Sequence, residues 1–399
     1  MPQDPIAARR DYAGPALFSY GFRPFFLFGA IWMALAPLLW IQAYLAGSAM
    51  VGTAPALAWH VHEMLFGAIG AIVAGFLLTA VPNWTGRLPV RGASLMALFA
   101  LWAAGRAAML AYGLLGPVAG IAACAFPVVF AILIAREVIT GGNTKNLPVC
   151  ILSGLFALAD IGFHIALVTG ADWQLAVKLA IAVIALMIAL IGGRIVPSFT
   201  RNWMIQAGRG GTPLPAPMDR FDGACLAAAG LALAAWLAAP YDWFTGALLL
   251  IAGGLHAIRL ARWKGWRTGS DPLVAILHAG YAWLPIALML LGLAALLPGL
   301  VPATAALHAL TAGAMGTMTL AVMTRASLGH TGRDRHADIW TVAIYVLVLA
   351  GALLRVAAPL APGELQYTGL GIAALVWSGA FALFALRYGP MLVSPRKGI

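Results

Sequence analysis

The chain has 399 residues, 62% of them hydrophobic and only 9% charged, with a mean hydropathy of +0.92 and a formal net charge of +11. A soluble domain carries about 25% charged residues, so this composition excludes a soluble enzyme, and the basic excess is not that of a nucleic-acid binder. The 45 Gly and 24 Pro lie within long apolar runs, where membrane helices tolerate both.

Residues 1–24 carry Arg9, Arg10 and Arg23 without an apolar core and small-residue cleavage site. They predict a cytoplasmic N-terminal segment and no removable signal peptide. A spanning helix needs about 20 apolar residues. Runs between charges and turn residues predict twelve, near 25–46, 57–81, 93–113, 115–136, 147–169, 173–196, 222–239, 242–261, 272–296, 303–327, 338–359 and 365–388. Only Gly113 to Pro117 separates the third from the fourth. The basic, Pro/Gly-rich stretch 197–221 reads as a cytoplasmic loop between two six-helix halves of one transmembrane domain, residues 1–399. The fold class is therefore all-α and polytopic.

Of the 24 Lys and Arg, 21 fall in the N-terminal segment, the even-to-odd connections with adjacent helix ends, or the C-terminus. The positive-inside rule then places both termini in the cytoplasm of a plasma membrane. Arg106, Lys178 and Arg355 remain, each inside a predicted span. Trp40, Trp59, Trp84, Trp173, Trp203, Trp243 and Trp340 fall at span ends, where amphipathic rings settle. Cys124, Cys150 and Cys225 form no CxxC pair and read as small core residues.

The second and tenth spans align without a gap. His62 to Arg87 and His308 to Arg333 share eight of 26 positions, including the His and the closing Thr-Gly-Arg. The sixth span echoes the ending, Val196-Pro197-Ser198-Phe199-Thr200 against Val81-Pro82-Asn83-Trp84-Thr85, but has Val177 where the His would be. Together these suggest a four-helix period in a pseudo-threefold arrangement.

Ionisable groups inside spans cost about 3 kcal/mol each on insertion scales, so each needs a reason. His62 and His308 are expected at one depth on parallel helices, in the periplasmic half, which suits the two axial ligands of a non-covalent haem b. His60 precedes His62 by two positions, and the two rings should point about 200° apart and serve different surroundings. His60 and His278 are further metal-ligand candidates. Arg106 and Arg355, with Lys178 as a third, are the expected partners of haem propionates. Glu63 and Asp160 could orient a ligand His or neutralise an Arg. His164, His256 and His336 read as histidines bonded to backbone carbonyls or lining water cavities.

Four segments carry a family resemblance: Trp59-His60-x-His62-Glu63-Met64, Gly75 through Gly86, Gly193-Arg194-x-x-Pro197-x-x-Thr200-Arg201-Asn202, and Met318 through Ser327. They resemble the NnrS family over nearly the whole chain. The resemblance implies a bacterial inner-membrane protein containing haem and copper, acting in the response to nitric oxide and nitrosative stress, often beside denitrification. The four-helix period also resembles haem–copper oxidase catalytic subunits, where helices two and ten hold a haem. The copper ligands of those subunits come from helices six and seven, and this chain has no His in either. On this reading nitric oxide is the small-molecule ligand, reached through membrane lipid, and any electron donor is a quinol or a cytochrome. Two other readings compete: a twelve-helix transporter of anions or protons built on Arg106, Lys178 and Arg355, and a quinol-linked electron-transfer subunit.

Overall fold

The computed structural model describes residues 12–47, 52 and 54–397. Arg9 and Arg10 lie outside these residues, as do 48–51 and 53 of the connection after the first span. Twelve helices among the described residues are long and apolar enough to cross a membrane. They are α1 Phe22–Leu45, α2 Ala56–Thr85, α3 Ala93–Leu110, α4 Pro117–Thr140, α5 Thr144–Thr169, α6 Gln174–Gln206, α7 Arg220–Ala238, α8 Trp243–Arg267, α9 Pro272–Leu296, α10 Ala303–His330, α11 Ile339–Leu360 and α12 Glu364–Val393. No strand occurs among the described residues. The chain is an all-α, multi-pass membrane protein.

Most helix ends fall within a few residues of the apolar-run boundaries, because a charge or a turn residue stops each run. The narrow third–fourth junction is real: Tyr112–Leu115 forms a single turn, and Pro117 opens α4 as a first helical residue. The largest departure is in α6, which continues past Pro197 to Gln206. The connection to α7 is therefore 207–219, shorter than the 197–221 expected. Buried Val196, Pro197, Thr200 and Met204 share one face at helical spacing, while Arg201 and Asn202 point outward. That amphipathic turn carries the helix beyond the apolar run.

Three helices contain π-helical stretches: Glu63–Ile69 in α2, Ile188–Gly192 in α6 and Ala309–Met315 in α10. Such winding disturbs the regular hydrogen-bond ladder, and the bilayer core offers no water to repair it. In each stretch a side chain donates to a backbone carbonyl. Trp102 Nε1 donates to Gly67 O at 2.8 Å, Arg259 Nη1 to Ala189 O at 2.8 Å, and Trp377 Nε1 to Ala312 O at 3.1 Å. The first and third stretches begin one residue after His62 and His308 and occupy the same seven positions of the sequence repeat. The stretch in α6 comes later than the Val196/Val81 echo would put it.

The chain forms two compact units. One comprises Met1–Val183, Ala326–Asp334 and Phe381–Ile399, and the other Ile184–Arg325 and Arg335–Ala380. In the first, α1 packs along α2, α3 on α4, and α4 on α5. In the second, α7 packs on α8, α8 on α9, and the start of α10 against α9 and α11.

Candidate metal centre

His62 is the last residue before the π-helical stretch of α2, and Glu63 is the first within it. Both are fully buried. Glu63 collects three donors: His62 Nδ1 at 2.8 Å and Arg106 Nη1 at 2.8 Å on Oε1, and Trp32 Nε1 at 2.7 Å on Oε2. Gly67, one turn on, leaves the space that the Arg106 guanidinium fills; any Cβ there would collide with it. Glu63 thus both orients the histidine and neutralises the arginine.

The tautomer of His62 follows from that carboxylate. With Nδ1 donating to Glu63, the neutral ring presents its Nε2 lone pair. That nitrogen lies 3.1 Å from Asp160 Oδ1 and 3.0 Å from His164 Nε2. His164 Nε2 is in turn 3.6 Å from Asp160 Oδ1. Asp160 and His164 stand one helical turn apart on α5, so both face the same side. Gly120 of α4 makes room for the His164 ring, since a Cβ there would lie 2.8 Å from His164 Nδ1. Cys124, one turn further along α4, lies close enough to Asp160 to interact with it and brings a sulfur to the edge of the group.

One ligand atom from each of His62, Asp160 and His164 lies within 4.8 Å of the others, all three residues being buried. Asp160 Oδ2 and His164 Nδ1 have no hydrogen-bond partner. The His62 Nε2 lone pair and the Asp160 carboxylate oxygen, facing each other at 3.1 Å in a low-dielectric interior, need a cation between them, a proton or a metal ion. Two carboxylates against one guanidinium leave one negative charge for it to balance. The donor set of imidazole nitrogen and carboxylate, with a thiol beside it, suits a borderline or soft ion such as copper or zinc.

A porphyrin does not fit at His62 in this arrangement. Both ring nitrogens face carboxylates, and the rings of Phe66, Phe163 and His164 stand 5.4, 5.3 and 4.7 Å from it, centroid to centroid.

The other sequence candidates lie elsewhere. His60 points away from the group and stacks on Trp40 at 4.1 Å. His308 belongs to the second unit, where its Nδ1 bonds to Thr304 O at 2.7 Å. Arg355, on α11, is half-buried in the same unit. Lys178 is half-buried near the start of α6. His278 bonds Thr200 Oγ1 at 2.8 Å. His256 bonds the carbonyl of Cys225 at 3.1 Å and the Tyr281 hydroxyl, as expected of a carbonyl-bonded histidine, and His336 is exposed. His164 departs from that expectation, because its Nε2 meets another imidazole rather than a carbonyl. The Asp160-x-x-x-His164 spacing on one helix face was the available signal.

Fold and site together define a multi-pass membrane protein with a buried His/Asp cluster able to hold a metal ion. The chain belongs to the NnrS family: the family model described as NnrS protein matches residues 16–396. No curated protein matches it.

Proposed function

We propose that this protein acts in the nitric oxide response as a membrane metalloprotein, with a copper ion held by His62, His164 and Asp160. The carrying observation is the pair of imidazole Nε2 atoms 3.0 Å apart beside a buried carboxylate, one of them aimed by Glu63. Family membership suggests the nitric oxide context, and the Cys124 sulfur favours copper over harder ions. Copper bound there would supply one-electron chemistry and an affinity for nitric oxide. Glu63 holds the His62 tautomer, Arg106 balances Glu63, and the enclosing Phe66 and Phe163 exclude water while admitting a small apolar gas.

A haem b in the same protein would take His308 as its ligand. Donation from Nδ1 to Thr304 O leaves Nε2 as the coordinating nitrogen, and Arg355 of the same unit supplies a cation for a propionate. The transporter reading loses support at Arg106, whose charge is met by Glu63 rather than held for an anion.

The test is metal content and absorption spectra of detergent-purified protein from copper- and haem-replete cells, before and after nitric oxide. Copper should be present in the wild type, absent from His62→Ala and His164→Ala, and retained in His308→Ala. Any Soret band should be lost in His308→Ala alone, and nitric oxide should perturb the copper signal. A wild type without copper, or copper retained after both His62 and His164 are replaced, overturns the reading.

A further inference from the structure

The two histidines of the centre are held differently. His62 is engaged at both ring nitrogens: Nδ1 meets Glu63 Oε1 at 2.8 Å, and Nε2 faces the group. Glu63 is itself held, since Arg106 Nη1 and Trp32 Nε1 donate to its two oxygens. His164 has no such support. Its Nε2 faces His62 Nε2 at 3.0 Å, but its Nδ1 has no hydrogen-bond partner, and the residue is only 6% exposed.

A neutral ring that coordinates through Nε2 carries its one proton on Nδ1. On His62 that N–H points at a carboxylate, which fixes the ring's orientation and raises its strength as a ligand. On His164 the same N–H is a buried donor without an acceptor, and that works against coordination. A partner for it lies on the same helix. The carbonyl of Asp160 stands four residues back, and His308 makes the corresponding bond on α10, from Nδ1 to Thr304 O at 2.7 Å. A turn of the His164 ring toward Asp160 O would satisfy Nδ1 and take Nε2 out of the group. Gly120 puts no side chain against that nitrogen, where a Cβ would lie only 2.8 Å away.

We infer that His62 is the permanent ligand of the copper proposed above and His164 the exchangeable one, released when a small external ligand binds the ion. The inference rests on that copper reading. In the exchange the bond from the ion to His164 Nε2 breaks and a bond to the incoming donor atom forms. The ring keeps its single proton on Nδ1, and no electron is transferred. Asp160 stays, because its charge balances the ion in the apolar interior. Glu63 is the positioning residue that decides which histidine remains.

The experiment loads the purified full-length chain with Cu(II) and counts coordinated imidazoles by pulsed EPR, before and after saturation with azide. The remote nitrogen of each coordinated ring has a quadrupole signature that depends on what its N–H meets, so the two histidines are distinguishable. The wild type should show two rings. Azide should remove the ring whose N–H is unpaired and leave the one bonded to a carboxylate. Glu63→Gln should alter the surviving signature. His164→Ala, loaded by titration with excess Cu(II), should show one ring with and without azide. It should bind azide at least about tenfold more tightly than the wild type, since nothing has to be displaced. Should either variant aggregate or fail to load, the wild-type signatures still decide. Two rings persisting under azide, loss of the carboxylate-bonded ring, or an unchanged signature in copper-loaded Glu63→Gln overturns the inference and leaves the copper reading standing. A wild type that takes up no copper overturns both.

Discussion

Asp219 sits just before α7 and works in two directions. Its Oδ1 accepts from the backbone N–H of Asp222 at 3.2 Å, while Asp222 Oδ2 accepts from its own N–H at 3.0 Å, a reciprocal cap on the helix start. Arg262 also donates to both of its carboxylate oxygens. The guanidinium first, and then the capped N–H, hold the Asp219 carboxyl below the usual carboxylate range. A depressed folded value means that its stabilisation is present above the unfolded value of about 4 and is lost as pH falls through the folded value. Asn caps a helix about as well as Asp, so Asp219→Asn removes the charge and keeps the cap. Thermal unfolding in detergent, followed from about pH 7 down to about pH 3, should therefore show a smaller fall in midpoint for Asp219→Asn than for the wild type. Parallel curves would mean that the Arg262 contact adds nothing to stability.

At the scale of the helix, the π-helical stretches make a separate demand on the fold. A backbone carbonyl turned out of the ladder must find a donor inside the protein, and in α2 that donor is the Trp102 indole, only 5% exposed. Trp102→Phe keeps most of the packing and removes the N–H, so it should cost about 1–2 kcal/mol, read as a lowered unfolding midpoint. Trp340→Phe, at an exposed tryptophan, should leave the midpoint in place. An equal effect of the two changes would show that the Gly67 carbonyl does not depend on the indole. These stretches also mark the limit of what the residues alone reveal. Apolar runs locate the helices because charges and turn residues interrupt them, and the repeat aligns His62 with His308. Period counting does not distinguish π from α winding over seven residues, nor does it show that α6 runs on as an amphipathic turn to Gln206. The centre was half legible: His62, Glu63 and Asp160 stand out as ionisable groups inside apolar spans. Their meeting with His164 depends on how α2 packs against its neighbours in the first unit, which spacing along one helix does not encode.

For the whole molecule, the distribution of charge between helix ends makes one further claim. The connections 46–55, 111–116, 170–173, 239–242, 297–302 and 361–363 contain no Lys or Arg. The alternate connections and adjoining helix ends carry Arg87, Arg91, Arg136, Lys145, Arg209, Lys264, Arg267, Arg333 and Arg335. Short loops rich in Lys and Arg resist translocation, so we predict that the basic set faces the cytoplasm with both termini and that the uncharged set faces outward. In that orientation His62 near the start of α2, and Asp160 and His164 near the end of α5, would lie toward the outer face, where a gas or an external electron carrier would have a short path to them. Reporter insertions test this directly. Alkaline phosphatase, active only outside the cytoplasm, should work when placed at 298–302 and fail at 210–216. A fluorescent protein fused after residue 399 should fold and fluoresce in the cytoplasm. The opposite pattern at both insertion points would reverse the orientation and move the His62 cluster to the cytoplasmic side. Activity at both would mean that the basic loops do not hold the chain in one orientation.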